Sequence, residues 1–199
     1  MSATREISAI VLAGGRGRRM GEVDKGLQLL QGKPLVSWVA DRIAPQVSEV
    51  LISANRNLER YREMGYAVLP DEMPDYPGPL AGLHRAMSEV HHPLWLSVPC
   101  DTPFLPEDLV QRLHAALLAD KADLAVAVVE GQMQPAICLG YTHLQAGLGS
   151  FLARGGRRVS EWQSGLLRTA ALFHDLQSFR NINAQADLIE AETVMSGSK

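Results

Sequence analysis

The sequence predicts an α/β fold: a single three-layer domain, residues 1–199, with a mostly parallel sheet and helices on both faces. Three observations carry this. Short apolar runs of strand length alternate with longer amphipathic stretches of helical period, which is the pattern of βαβ units. The first apolar run passes directly into a glycine-rich loop. No internal repeat, low-complexity tract or long linker divides the chain, and 199 residues at 46% hydrophobic content suffice for one substantial core.

The elements follow in chain order. Ile7–Leu12 is an apolar run interrupted only by the small Ser8, as expected of a strand buried on both faces. Glu49–Ala54, Ala67–Leu69, Leu94–Val98, Leu124–Val129, Pro135–Tyr141 and Leu167–Phe173 are the remaining predicted strands. Between them the periodicity predicts helices over Pro34–Ala44, Leu80–Val90, Pro106–Ala119, Leu144–Ala153, Arg158–Gln163 and Ala184–Val194. Pro34 and Pro106 are read as first-turn prolines, where the missing N–H costs little. The polar tail Ser196–Lys199 is expected to fray.

Composition narrows the partners. A formal net charge of -3 gives no overall field for nucleic acid or an anionic membrane, although 15 of the 19 basic residues are Arg and a local anion site stays open. Cys100 and Cys138 form neither a C-x-x-C pair nor a zinc ladder, which excludes a disulfide framework but not a single bridge. The run Ile7–Ala13 is too short for a secretory signal, and nothing approaches a membrane span. The expectation is a cytoplasmic protein.

The segment Leu12-Ala-Gly-Gly-Arg-Gly-Arg-Arg-Met-Gly21, followed by Asp24-Lys25-Gly26, is the most informative. Glycines let backbone N–H groups approach an anion closely, and Arg16, Arg18, Arg19 and Lys25 add charged donors. A polyphosphate is the natural occupant. Two commoner phosphate loops fail here. From Gly15 the third glycine of G-x-G-x-x-G falls on Met20, and the Gly32-Lys33 pair has Leu27 where a Walker A loop needs glycine.

Other positions admit a bland reading beside a chemical one. Asp101 follows a buried strand, where open α/β sheets bind ligands; it suits Mg²⁺, but also a helix cap or turn. Asp71, Glu72 and Asp75 read as a solvated acidic loop. Gly78-Pro-Leu-Ala-Gly82 opens a helix whose N–H groups can meet an anion. Asn183 can be the N-cap of the last helix. His91-His92 is read as a helix end, Trp38, Trp95 and Trp162 as packing, and Cys100 as a small buried thiol.

The glycine loop with Asp24-Lys25-Gly26 resembles nucleotidyltransferases of the sugar-nucleotide type, and within them the molybdenum cofactor guanylyltransferases (the MobA-like family). The blocks Gly32-Lys-Pro-Leu35, Tyr76-Pro-Gly-Pro-Leu-Ala-Gly82, Pro99-Cys-Asp-Thr-Pro103 and Phe179-Arg-Asn-Ile-Asn183 lie in that family's order over nearly the whole chain. The resemblance implies a Rossmann-like nucleotidyltransferase fold and Mg²⁺-dependent transfer of GMP from GTP to the terminal phosphate of molybdenum-molybdopterin. It assigns GTP to Leu12, Ala13, Gly14, Gly15, Lys25, Ser53, Asp71, Gly78, Gly82 and Asp101. It assigns Mg²⁺ to Asp101, catalysis to Arg19, Lys25 and Asp101, and the pterin substrate to Asn181 and Asn183. Arg157-Arg158 resembles a further family pair.

Two departures stand out: Glu22 replaces a frequent second glycine, and Ser53 a frequent Asn. Both bear on base affinity. A monomer with transient contacts to cofactor-biosynthesis proteins and apo-molybdoenzymes is implied. A cytidylyl or sugar-nucleotide enzyme, and a carrier that hands on finished cofactor, are the alternatives.

Overall fold

In the computed structural model the described residues are 6–13, 24–70 and 78–197. Nine strands are found among them: β1 (Ile7–Leu12), β2 (Leu29–Leu30), β3 (Lys33–Pro34), β4 (Glu49–Ser53), β5 (Ala67–Leu69), β6 (Leu94–Pro99), β7 (Leu124–Val129), β8 (Gln132–Tyr141) and β9 (Arg168–Phe173). Seven helices connect them: α1 (Leu35–Ile43), α2 (Leu58–Arg62), α3 (Pro79–Met87), α4 (Leu109–Ala119), α5 (Leu144–Ala153), α6 (Val159–Ser164) and α7 (Gln185–Gly197).

Seven strands form one sheet in the order β5-β4-β1-β6-β8-β7-β9, while β2 and β3 form a separate hairpin. β1 pairs in parallel with β4 and β6, as do β4 with β5 and β7 with β9; within this sheet only the pairings of β8 are antiparallel. The sheet is therefore mostly parallel, as expected. Successive side chains on a strand face opposite ways, so the central strands β1, β6, β7 and β8 feed two cores. Ile7, Ala9 and Val11 of β1 pack with α1 and α4, and Ile10 packs with α3, α5 and α6. On β6, Leu96 and Val98 join the first core and Trp95 the second. This is the three-layer arrangement predicted from the alternation.

The strand predictions hold to within a residue or so, except at β8, which starts three residues earlier than predicted. Val129 and Gln132 pair directly, and Glu130 (φ 47) with Gly131 (φ 79) makes the left-handed two-residue turn between them. Pro135 reads as a strand start, yet it sits within the register shift that follows Val126/Ala127, where a missing N–H disturbs no ladder. Gln31 (φ 50) and Gly32 (φ 76) make the same kind of turn in the unpredicted β2–β3 hairpin.

Two prolines sit differently from expectation. Pro34 is the N-cap of α1, not a first-turn residue, and α4 begins at Leu109 with Asp108 as its N-cap, leaving Pro106 outside the helix. The first-turn proline is Pro79 of α3. α3 also ends at Met87, so His91 is no helix end; its ring lies 3.2 Å from Glu49. Trp95 and Trp162 are core residues stacked with centroids 6.3 Å apart. No helix among the described residues is long and apolar enough to cross a membrane.

Candidate active site

The chain leaves β1 toward β4 on one side and reaches β6 on the other. The carboxyl ends of β1 and β6 therefore meet at a topological switch point, where open α/β sheets bind ligands. Backbone hydrogen bonds level four strand ends there: Cys100 N–H donates to Leu12 O at 3.1 Å, Ala13 N–H to Ser53 O at 2.8 Å and Ala54 N–H to Leu69 O at 3.1 Å. Leu12, Ala13, Ser53 and Asp101 are thus brought to one edge of the sheet. Ser53 is buried at 3% exposure.

Three side chains converge beside this edge. Lys25, on the 3-10 turn Lys25–Leu27, places Nζ 3.3 Å from Asp101 Oδ2 and 2.5 Å from Asn183 Oδ1. Asp101 is mostly buried, and among the described residues its Oδ1 has no hydrogen-bond partner. A buried carboxylate oxygen without a partner is costly unless something else satisfies it. It is a fitting ligand for a hard cation. No group of three or more His, Cys, Asp or Glu capable of holding a metal occurs among the described residues. A single carboxylate suits Mg²⁺, which retains waters and shares substrate phosphates, better than a closed zinc site.

Asn183 reaches Lys25 because the segment before α7 is tied down. Ile182 N–H donates to Asp101 O at 2.8 Å, and the fully buried Thr102 hydroxyl donates to Asn181 Oδ1 at 3.0 Å. Asn183 is not the helix cap: its own N–H and that of Ala184 donate to Asp187 Oδ2 at 2.8 and 2.9 Å. Those two bonds, with Arg180 nearby, hold the Asp187 carboxyl below its ordinary range. Behind them Ile182, Leu188 and Ala191 pack against Leu30 and Leu35, which gives the β2–β3 hairpin its purpose as a seat for α7. Asp101, likewise, caps no helix.

Gly78, with φ 97, is the N-cap of α3, and Gly82 is buried within that helix. Arg157 directs Nη1 to the carbonyls of Leu152 and Gly156, and Arg158 is the N-cap of α6. Gly14, Gly15, Arg19 and Asp71 lie outside the described residues, as do Arg16, Arg18, Glu22, Glu72 and Asp75. Cys100 is buried beside the site. Burial first, then the charges of Asp101 and Asp24, push its thiol well above the ordinary range, so it is a packing residue without nucleophilic character. The sequence reading missed Thr102, Asp187, Asn57 and Tyr61, all of which support the site through hydrogen bonds. A contact between residues distant in sequence leaves no local pattern to read.

The fold is that of an α/β domain with its candidate site at the carboxyl edge of the sheet, and residues 9–168 match the model of the MobA-like NTP transferase domain, which makes the class a nucleotidyltransferase. Curated relatives agree. A molybdenum cofactor guanylyltransferase of Burkholderia lata is 47% identical over 94% of this chain and 96% of its own length. One of Cupriavidus necator is 41% identical over 97% of this chain and 100% of its own. The chain belongs to the MobA-like NTP transferase family, among relatives named molybdenum cofactor guanylyltransferase.

The fold likeness reaches further. Molybdopterin-guanine dinucleotide biosynthesis protein A of Archaeoglobus fulgidus superposes with a TM-score of 0.76 at 22% identity, covering 96% of this chain and 99% of that one. A CMP:2-keto-3-deoxy-manno-octonic acid synthetase complexed with CTP gives 0.75 at 12% identity, covering 99% and 100%. One backbone thus serves proteins named for different nucleotides.

Proposed function

We propose that the chain transfers GMP from GTP to the terminal phosphate of molybdenum-molybdopterin, forming the guanine dinucleotide cofactor and pyrophosphate. The observation that carries this is the junction at Lys25. One ammonium meets Asp101, at the end of a central strand, and Asn183, on the segment that leads into α7. Nucleotide and acceptor are read as arriving from those two sides.

The backbone of Leu12, Ala13, Gly14 and Gly15 takes the base and triphosphate, with Ser53 and Asp71 toward base or ribose. Gly78 and Gly82 present the start of α3. Lys25 neutralises charge growing near the α- and β-phosphates, and Arg19 that of the departing pyrophosphate. Asn181 and Asn183 meet the pterin substrate. The Asn181 carbonyl already accepts from Thr102, so its amide N–H₂ faces the ligand in this reading. Asp101 is the residue to hold Mg²⁺, which when bound would supply charge neutralisation on the phosphates. The attacking phosphate is ionised at neutral pH, so transfer rests on positioning and needs no general base.

A cytoplasmic monomer that hands product to apo-molybdoenzymes fits this reading. The test is pyrophosphate release from purified protein with molybdenum-loaded molybdopterin and Mg²⁺, run in parallel with GTP and CTP. Release with GTP alone is expected. Release with CTP alone would reassign the base, and a protein that retains the dinucleotide without releasing pyrophosphate would be a carrier.

A further inference from the structure

The residues on either side of Lys25 are fixed by one phenol. Tyr61 of α2 is fully buried in the core that α1 and α4 share. Its hydroxyl donates to Asp24 Oδ1 at 2.5 Å. The other carboxylate oxygen accepts from Asn57 Nδ2 at 2.9 Å. Asn57 stands just before α2 at φ 53, a left-handed conformation that Asn tolerates better than most residues. On the far side of Lys25, a Cβ added to Gly26 would lie 2.5 Å from Tyr61 Oη and 3.3 Å from two ring carbons. Glycine is therefore required at 26 by close approach to that phenol. Leu27, the next residue, packs in the same core as Tyr61.

Asp24 is thus held by its side chain, Gly26 by contact and Leu27 by burial. Lys25 alone in this stretch extends away from the anchor. A lysine stem carries much rotamer freedom, so an ammonium meets two defined acceptors only when its backbone is fixed. We propose that Tyr61 is a positioning residue for Lys25: its hydroxyl clamps Asp24 and its ring sets the height of Gly26, which delivers the ammonium to Asp101 and Asn183. Burial and the Asp24 bond push the phenol far above its ordinary range, so it stays a donor at every working pH. The clamp rests on the proposed reaction for its catalytic consequence, but its structural content can be read separately.

The chain has four lysines, Lys25, Lys33, Lys121 and Lys199, so protein labelled with ε-¹³C-lysine gives at most four signals to follow. Lys25→Arg assigns the one that matters. In Tyr61→Phe the Lys25 signal is expected to move while the other three stay. Pyrophosphate release is expected to lose about tenfold in kcat, the size of one hydrogen bond to a charged group, with KM for GTP within about twofold. Tyr66→Phe, which removes a 2.8 Å bond to Asp41, is expected to change neither. Gly26→Ala should be damaging in the native background and partly relieved when combined with Tyr61→Phe, because the closest overlap is with the phenolic oxygen.

Should Tyr61→Phe fail to fold, Asp24→Asn keeps the shape but leaves one acceptor oxygen for the two donors Tyr61 and Asn57, so the clamp is loosened and movement of the Lys25 signal is again expected. A Lys25 signal that stays in place in a folded clamp variant would overturn the proposal. So would a Gly26→Ala defect that Tyr61→Phe does not relieve. Wild-type protein inactive in the pyrophosphate assay would end the proposed reaction, while the lysine spectrum would still decide the clamp.

Discussion

Each end of the central sheet carries a carboxylate that meets a basic group, and the two are built differently. At the amino end Glu49 uses both oxygens: Oε1 accepts from the Ser8 hydroxyl and from His91 N–H at 3.0 Å, and Oε2 lies 3.2 Å from the His91 ring. At the carboxyl end Asp101 gives only Oδ2 to Lys25 and leaves Oδ1 buried without a partner among the described residues. A carboxylate satisfied at both oxygens has spent its bonding capacity on the fold. One held in place with an oxygen spare is kept for a ligand, at a cost in stability that only function explains.

The largest effect should separate the two ends outright. Asp101→Ala is expected to lower pyrophosphate release by at least about a hundredfold, the scale of losing a group that stabilises developing charge. Thermal unfolding should show an intact fold, because the backbone bond from Ile182 N–H to Asp101 O remains. Near-normal transfer by that variant in Mg²⁺ would remove the metal assignment. Glu49→Gln should leave transfer within about twofold, since no atom of Glu49 lies at the site edge.

An intermediate effect is expected at Asn183. Asn183→Ala removes the 2.5 Å acceptor of Lys25 but leaves Asp101 in place. A loss of about tenfold in kcat follows from one charge-assisted hydrogen bond. If Asn183 meets the acceptor substrate as proposed, KM for the pterin should rise while KM for GTP holds. Equal changes in both would place Asn183 in the support of Lys25 alone.

How much of this was legible in the sequence divides along the same lines. β1, β4, β6 and β7 were readable because strands buried on both faces are apolar at most positions, broken here only by Glu49 and small serines, and the switch point follows from their order. Lys25 and Asp101 could be singled out because each stands beside a strand or loop of marked composition. Asn183 invited a helix-cap reading, since local pattern cannot show that Asp187 has taken the capping role. Tyr61 left no trace: it lies on a five-residue helix too short for an amphipathic signal, and its partner is 37 positions away. Pro135 misled for a definite reason, as a proline inside a central strand is tolerated where a bulge already breaks the ladder.

The smallest effect tests the saturated end through pH. Burial of Glu49 opposes its ionisation, but bonds from Ser8, the His91 N–H and the His91 ring outweigh it and hold the carboxyl below its ordinary value of 4.5. A carboxyl whose pKa is depressed on folding stabilises the protein above its unfolded pKa, and that stabilisation fades as pH falls through the folded value. Glu49→Gln should therefore cost about 1 kcal/mol at neutral pH, as for one partly buried hydrogen-bonded group. The gap to wild type should close progressively below the ordinary value of 4.5, where the unfolded carboxyl takes up its proton first, and be lost once the folded carboxyl is protonated as well. Urea unfolding of both proteins between neutral pH and about pH 3 measures this. A gap that persists unchanged in acid would mean that Glu49 contributes shape, not charge, and the contrast between the two ends would then rest on Asp101 alone.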